Sequence, residues 1–246
     1  MRIMFLFFSP LFLFCQHNII DSHDNKQGYW TLYFPYSNDS IVSEEGFFID
    51  NQEHGLWIKY HENGQVRELL NYKNGKLNGV RVVINKRGKL IEQEVFKDGG
   101  YNGTQKYFHD NGRISLESSY VLGDRHGLFV KYYRNGKKQE SVNYSNNKKD
   151  GLAEWYFDNE QLSIQYSYSH GLIVDTAYAF YKTGEIKSKS IYSSNELNGE
   201  KISFFPSGVV KEVGGFLNGE KHGSWCTYDS LGNELSCIRY KRGKKL

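Results

Sequence analysis

The sequence predicts an all-β fold, an elongated single-sheet antiparallel meander of tandem 24-residue β-hairpin repeats. Three observations predict it. From Gly55 to the C-terminus the chain repeats eight times with a period of 24 residues, without insertion or deletion. Aromatic residues and glycines each recur in fixed columns of that repeat. A fixed period of this length is typical of stacked supersecondary units, in which each unit buries the surface that its neighbour leaves open.

The most regular column is aromatic in all eight repeats, and aromatic residues favour strands that are half buried. Its members are Tyr72, Phe96, Tyr120, Tyr144, Tyr168, Tyr192, Phe216 and Tyr240. With aromatics at 16% of the chain and only 3 prolines, the composition indicates strands and not helices.

The charge balance excludes one class of partner. A formal net charge of +3 is small against 31 basic and 28 acidic residues. This balance does not give the strong positive field that nucleic-acid-binding proteins present, so no nucleic acid partner is predicted.

The N-terminal residues differ from the rest of the chain. Arg2 precedes an apolar stretch from Ile3 to Phe14, which is shorter than the roughly 20 residues that a membrane-spanning helix needs. Residues 1–15 are therefore predicted to be a signal peptide or a lipoprotein signal. Cys15 is the lipidation candidate, and the alternatives are a signal cut near Cys15 or an uncleaved anchor. The protein is accordingly expected to be exported, to the periplasm or to a membrane-anchored place in the cell envelope, and to meet the membrane only through this signal or a lipid.

Three further segments follow the signal. Residues 16–27 are predicted to be a flexible tether. Residues 28–54 are predicted to be a degenerate N-terminal capping repeat, because Gly28, Trp30 and Tyr33 echo the glycine, tryptophan and tyrosine at 55, 57 and 60. Residues 55–246 hold the eight 24-residue repeats.

Each repeat is predicted to be a hairpin followed by a second tight connection. The pair Asn63-Gly64 lies between two runs of branched and aromatic residues, which is a strong local signal for a β-hairpin turn. The second connection is centred on Gly75, and asparagine is the only substitute for glycine in that column. Since Gly and Asn tolerate positive φ, a left-handed backbone is predicted there.

Two hairpin registers are compatible with the sequence. A three-residue loop places Tyr60 opposite Val66 and gathers an apolar column beside the aromatic residues. A two-residue loop places Tyr60 opposite Arg67 instead, and it sets Cys226 directly opposite Cys237, which makes that pair a disulfide candidate. We favour the first register because it depends on many positions and the second on one pair.

No catalytic, cofactor or metal site is predicted, because almost every candidate side chain recurs on the repeat. His54, His126 and His222 occupy one column in which asparagine alternates. This pattern indicates hydrogen bonding to local backbone more than metal binding or catalysis. The chain is therefore predicted not to be an enzyme.

The aromatic columns have two possible interpretations. One is cross-strand packing in a thin sheet, and the other is an exposed ladder that binds a partner. The residues of this candidate binding surface are Trp57, Tyr60, Phe129, Tyr132, Tyr156, Trp225 and Tyr228.

A longer motif connects the repeats to a known family. The segment Phe216-Leu-Asn-Gly-Glu-Lys-His-Gly-Ser-Trp225-Cys-Thr-Tyr228 resembles the MORN repeat in its bacterial variant form, and the likeness extends over residues 28 to 246. The tryptophan of the motif is kept at Trp57 and Trp225 and replaced elsewhere, at Ala177 and Lys201 among others.

The resemblance implies a non-enzymatic, elongated antiparallel β-array that mediates protein–protein interaction. Bacterial proteins of this kind are described as antitoxin or immunity components of toxin systems, so the implied partner is a protein, with a toxin as one candidate. The alternative is an envelope protein that binds cell-wall glycan through its aromatic ladder.

Overall fold

A computed structural model describes residues 17–246, which form 22 strands and no helix. The predicted signal and Cys15 lie outside the described residues. The chain divides into two compact units, which meet in sequence at Gly88 and Lys89. Within residues 17–246, no helix is long and apolar enough to cross a membrane.

The first unit is an antiparallel meander in which each strand pairs with its neighbour in sequence. Its strands are β1 (Ile19–Ile20), β2 (Lys26–Tyr33), β3 (Val42–Ile49), β4 (Gln52–Tyr60), β5 (Val66–Lys73), β6 (Lys76–Leu77) and β7 (Gly79–Ile84). Strands β6 and β7 both pair with β5, as the two halves of one interrupted strand.

The second unit continues the same pattern through residue 245. Its strands are β8 (Leu90–Lys97), β9 (Gly100–Tyr101), β10 (Gly103–Phe108), β11 (Ile114–Val121), β12 (Asp124–Tyr132), β13 (Lys138–Ser145), β14 (Lys148–Tyr156), β15 (Leu162–Ser169), β16 (Leu172–Phe180), β17 (Ile186–Ser193), β18 (Glu196–Phe204), β19 (Val210–Leu217), β20 (Glu220–Tyr228), β21 (Glu234–Lys241) and β22 (Lys244–Lys245). The predicted fold class, an all-β meander of tandem hairpins, is confirmed.

A bulge next to the hairpin turn reconciles the two registers that the sequence left open. Next to the turn Tyr60 pairs with Val66, as the three-residue loop requires, but the following pair is Lys59 with Glu68. One residue of the second strand, Arg67, is thus left without a partner, and from there on the strands follow the second register. In the last repeat this shift sets Cys226 opposite Cys237.

The second connection has the predicted left-handed backbone in all eight repeats. Both central residues of each turn have positive φ, for example Asn74 at 52° and Gly75 at 69°. Two consecutive residues of this kind define the type I′ turn, whose twist matches that of the strands it joins. Asparagine at 147 and at 195 keeps the same conformation.

The glycine column that begins at Gly55 lies inside a strand, where the sequence predicted only a turn. Pairing of β3 with β4 shifts by two residues between Trp57 and His54, and Gly55 lies in that irregularity with φ of 72°. Asp175, the only residue of the column that is not glycine, has φ of 65°. The conformation therefore belongs to the repeat and does not depend on glycine.

In each unit, two facing columns of side chains form the core on one face of the sheet. We call the first the tryptophan column, Trp57, Arg81, Gln105, Phe129, Ala153, Ala177, Lys201 and Trp225, and the second the partner column, Gly46, Leu70, Glu94, Ser118, Val142, Tyr166, Ser190, Gly214 and Ile238. In the first unit the core contains Trp30, Phe48, Trp57 and Leu70, and in the second Phe129, Val142 and Ala153.

Neighbours in these two columns are complementary in size. The ring of Trp57 lies against Gly46, where an added Cβ would be 2.4 Å from the indole. In the second unit Phe129 pairs with Ser118, and Trp225 pairs with Gly214. On the other side each ring faces a larger residue, Leu70 beside Trp57 and Ile238 beside Trp225. A large ring therefore requires a small residue only at the partner-column position that precedes it in sequence, where the ring lies over the sheet.

The larger members of the tryptophan column also bond to the bulged backbone. The indole Nε1 of Trp57 donates to the carbonyl of Phe47 at 3.1 Å. Gln105, which is fully buried, donates to the carbonyl of Val95 and accepts the N–H of the same residue, at 3.0 and 2.7 Å. These bonds satisfy polar groups that the irregular pairing would otherwise leave buried without a partner.

Successive hairpins are tied by a recurring side-chain bond at the turns. The ring nitrogen Nε2 of His61 contacts the carbonyl oxygen of Ile84 at 2.9 Å, and the hydroxyl of Tyr133 donates to the carbonyl of Tyr156 at 2.7 Å. The acceptor lies 23 residues further along the chain in both cases. The histidines and tyrosines of this column thus join one repeat to the next.

The predicted tether at 16–27 is corrected from residue 17 onward. Ile19 and Ile20 pair with Gln27 and Lys26, so the segment forms a hairpin with β2. The connection is held by Asp21, whose carboxylate accepts hydrogen bonds from the Gln27 side chain and from two backbone N–H groups, which lowers its pKa to about 2. A turn organised by one aspartate explains why a polar segment is ordered here.

Candidate functional site

The predicted binding surface is divided between the two faces of the sheet. Trp57, Phe129 and Trp225 belong to the core and are 2%, 6% and 6% exposed. These three offer no surface to a partner, which corrects the expectation that they form an exposed ladder. They are buried because the small residues of the partner column leave space for their rings.

The four predicted tyrosines, Tyr60, Tyr132, Tyr156 and Tyr228, are half buried on the opposite face. This follows because side chains alternate along a strand, so positions 57 and 60 point in opposite directions. Three of them bond to carboxylates. Tyr60 donates to Glu45, Tyr132 to Glu117 at 3.0 Å, and Tyr156 to Glu154 at 2.6 Å.

Burial and these bonds change the acidity of the three phenols. Loss of solvent, reinforced by the adjacent carboxylate, raises the pKa of Tyr60, Tyr132 and Tyr156 to about 12 in each case. A phenol that holds its proton so firmly is suited to donating a hydrogen bond and not to acting as a base at neutral pH. The tyrosine–glutamate pairs are therefore structural.

The disulfide candidate lies at the far end of the second unit. Cys226 and Cys237 face each other across β20 and β21 with a Cα separation of 4.0 Å, and their sulfurs are bonded at 1.95 Å. With Glu234 they also form the one group of potential metal ligands found within residues 17–246. Bonded sulfurs are not thiolates, so this group is not suited to bind a metal ion.

The histidine column behaves differently from the expected local bonding. His54 and His222 lie in strands beside the bulge, and their Nδ1 atoms are buried without a hydrogen-bond partner in the described chain. One asparagine of the same column does bond to the backbone, since Asn102 accepts the N–H of Leu122 at 3.2 Å. At this position of the repeat, His54 and His222 therefore do not make the backbone hydrogen bond that Asn102 makes through its side chain.

The clearest departure from the repeat is a gap in the core of the second unit. Between Tyr166 and Trp225 the two columns carry Ala177, Ser190, Lys201 and Gly214, which pair in that order across strands β16 to β19. No large apolar side chain covers these strands along this line. In the preceding repeats the same line is filled by Phe129, Val142 and Tyr166.

The gap opens into a groove on the sheet surface. It consists of two adjoining depressions of about 160 and 230 Å³ that share Ser188 and Lys201. The first is floored by Ala177, Ala179, Ser188 and Ser190, and the second contains Ser203. We call this surface the β16–β19 groove.

The groove carries positive charge without ion pairs among residues 17–246. Two of its ammonium groups lie over aromatic rings, Lys187 over Tyr181 at 5.9 Å and Lys211 over Phe205 at 5.7 Å. Lys187, Lys201 and Lys211 line the second depression together with a single carboxylate, Glu212. None of the three ammonium groups has an ion pair within the described residues. Two other strand lysines do form ion pairs, Lys59 with Glu44 at 3.1 Å and Lys106 with Glu117 at 3.2 Å.

Lys201 occupies a position that is buried in most repeats. It stands in the tryptophan column, between Ser190 and Gly214, and it remains half buried. A lysine there keeps its stem against the sheet and its ammonium group toward water. The charge is thus held at the centre of the groove by the same backbone that elsewhere positions a core residue.

A group of aromatic rings forms the wall of the groove on one side. The ring of Tyr166 makes edge contacts with Trp155 and with Tyr192, with centroids 5.9 Å apart in both cases. Tyr166 and Tyr192 line the first depression beside the serines. The groove therefore combines a flat aromatic edge, hydroxyl groups and three cations.

None of the groove residues was predicted as a site from the sequence. A signal was present, because Ala177 and Lys201 replace the tryptophan, as Arg81 and Gln105 do in earlier repeats, and Ser190 between them gives no large residue in compensation. Recognising it requires knowing that the two columns face each other. Whether they face each other depends on the mid-strand bulge of the Gly55 column, which the sequence pattern alone does not reveal.

Comparison with known proteins agrees with the repeat assignment in part of the chain. The sequence model of the MORN repeat variant matches four segments, residues 53–74, 101–121, 125–146 and 149–170. The last matched segment ends at residue 170, before strand β16 begins at Leu172. No curated protein matches the chain. The chain thus carries MORN-type repeats, and the matches support the predicted resemblance at these four positions.

Proposed function

We propose that this chain is a non-enzymatic repeat protein that binds another protein through its sheet surface. The observation that supports the proposal is the β16–β19 groove. There, four strands lack the large apolar side chains that form the core in other repeats. Such a loss lowers the stability of the fold. A surface kept open in this way is typical of a site that receives a partner's side chains.

The finer proposal is that the chain is an exported immunity or antitoxin component of a toxin system, located in the cell envelope. Its support is the resemblance of the repeats to the bacterial MORN variant and the signal-like N-terminal sequence. In this role the protein partner is a toxin, and neither an enzymatic activity nor a cofactor is needed.

A genetic experiment tests the immunity role. The gene is deleted in cells that keep its neighbouring genes, and growth is compared with that of cells carrying the intact gene or a plasmid copy. We expect deletion to be harmful and the plasmid copy to restore growth. Unimpaired growth after deletion, with the neighbouring genes expressed, would contradict the immunity role.

A cell-wall glycan is the second candidate, and the aromatic wall of the groove favours it. Tyr166 and Tyr192 present ring edges and hydroxyls beside Ser188 and Ser190, and aromatic rings with nearby hydroxyls can hold a sugar. Binding of the full chain to purified cell wall, lost in Tyr192→Ala and kept in Tyr228→Ala on the other face, would support it. Equal binding by both variants and the parent would count against it.

A further inference from the structure

The β16–β19 groove has the charge of a site for a negatively charged ligand. Its lining contributes three cations, Lys187, Lys201 and Lys211, against the one carboxylate of Glu212. An unpaired ammonium group on a partly desolvated surface attracts carboxylates more strongly than a fully solvated one, because screening by water is reduced.

The dimensions of the groove fit a short extended segment. Four neighbouring strands at about 4.8 Å spacing give a length of about 14 Å, which accommodates roughly four residues of extended chain at about 3.3 Å each. The floor is made of alanine and serine side chains, so a backbone can approach closely. The hydroxyls of Ser188, Ser190 and Ser203 can bond to the peptide groups of such a segment.

We propose that the β16–β19 groove binds an acidic, extended segment of the partner protein, with Lys201 as its central contact. This proposal rests on the proposed function, since it names the chemistry of the partner that the sheet receives. Carboxylates of the segment pair with Lys201 and with the flanking Lys187 and Lys211. Complementary charge of this kind governs the choice of partner and speeds its encounter.

The experiment measures binding of a fluorescein-labelled oligoglutamate peptide to the full chain by fluorescence anisotropy. We expect binding that weakens as salt is added, and a loss of about tenfold or more in affinity for Lys201→Glu. The matched control is Lys97→Glu, which makes the same change of charge at an exposed strand end of the same unit. It is expected to change affinity by less than about twofold.

A second variant separates binding from folding. Lys201→Phe sets phenylalanine against Ser190 and so reproduces the Phe129 and Ser118 pair of an earlier repeat. We expect this variant to keep or raise the thermal midpoint while losing about tenfold or more in affinity for the peptide. A variant that is folded and still binds as the parent does would overturn the assignment of Lys201.

The remaining outcomes also decide the proposal. Equal losses in Lys97→Glu and Lys201→Glu would mean that net charge alone attracts the peptide, and the groove would then not be the site. If hyaluronate binds in a Lys201-dependent way and oligoglutamate does not, the occupant is an anionic glycan and the peptide proposal is wrong. If oligoglutamate binds through Lys201 and deletion of the gene is harmless, the groove proposal is supported and the immunity role is contradicted. The two proposals are therefore tested independently.

Discussion

Individual residues of this chain are selected mainly by backbone conformation. Every type I′ turn between repeats needs two consecutive residues with positive φ, and most of these positions hold asparagine, aspartate or glycine. Leu122 is an exception, with φ of 51° and a side chain that is 77% exposed. A leucine in this region is strained, and its side chain makes little contact in return.

Replacing Leu122 by glycine is therefore expected to stabilise the second unit. Glycine removes the clash between Cβ and the backbone, and we expect a gain of about 0.5 to 1 kcal/mol in the free energy of unfolding. Urea denaturation followed by circular dichroism measures it.

The matched control is Leu231→Gly. Leu231 is 84% exposed and also lies in a turn, but its φ is not positive. Glycine there gives no relief of strain and loosens the unfolded chain, so a loss of about 0.5 to 1 kcal/mol is expected. The same sign for both substitutions would show that strain at Leu122 is not the cause.

At the scale of the strand pair, much could be predicted from the sequence. The hairpin turns, the left-handed connections and the strand positions follow from where asparagine, glycine and aromatic residues recur. The mid-strand bulge at Gly55 was not predicted, because a recurring glycine fits a turn as well as a bulge. The extra residue at Arg67 was not predicted, because its column has no distinctive residue pattern. Both proposed registers were consequently right over part of the hairpin.

The mid-strand bulge of the Gly55 column also determines which side chains face each other in the core. Once it is in place, Trp225 covers Gly214, where an added Cβ would be 2.3 Å from the indole. The sequence alone shows a tryptophan in one column and a glycine in another. Only their pairing explains why Trp57 and Trp225 are buried instead of exposed as predicted.

Size complementarity between these columns can be tested in one hairpin. Gly214→Ser alone is expected to cost about 2 kcal/mol or more, because the indole of Trp225 must move. The double variant Gly214→Ser with Trp225→Phe reproduces the Ser118 and Phe129 pair, so it should be more stable than Gly214→Ser alone. A thermal or urea denaturation series measures both.

Gly100→Ala serves as control for the glycine substitution. Its Cβ would meet nothing closer than 3.8 Å, which is an ordinary contact. An effect below about 0.5 kcal/mol is expected. A double variant that is less stable than Gly214→Ser would refute the complementarity of the two columns.

The tyrosine–glutamate pairs predict how stability depends on pH. In the folded chain the pKa of Tyr60, Tyr132 and Tyr156 is raised to about 12, whereas unfolded tyrosine titrates near about 10. The unfolded chain therefore loses these protons first as the pH rises. The contribution of the three phenols is fully present below about pH 10 and is lost between about pH 10 and 12.

Ultraviolet absorbance of phenolate in the folded and the urea-unfolded chain checks this expectation. A fraction of the folded tyrosines should ionise well above the rest, and Tyr132→Phe should reduce that fraction. In the unfolded chain all tyrosines should ionise together. A folded chain whose tyrosines all titrate near about pH 10 would contradict the assigned pairs.

At the scale of the whole molecule, the fold follows from the sequence and the site does not. Periodicity predicts what all repeats share, and that is the meander of hairpins. A binding site in such a protein lies where the repeats differ, and here the difference is the absence of large apolar side chains at Ala177, Ser190 and Lys201. These three positions lie in two different columns, and they form a groove only because the strands bring them together.

The repeats of the second unit differ in role. In residues 101 to 170, where most of the matches to the MORN variant lie, the core line is filled. Strands β16 to β19 give up that core and expose lysines instead. We therefore expect the filled repeats to maintain the fold and the open ones to contact the partner.

Amide hydrogen exchange of the full chain, measured with and without the oligoglutamate peptide, shows which strands bind the peptide. We expect the peptide to slow exchange in strands β16 to β19 and to leave β10 to β14 unchanged. Lys201→Glu should abolish the effect. Slower exchange in β10 to β14 alone, or a uniform change along the whole chain, would contradict the claim that the open repeats form the binding site.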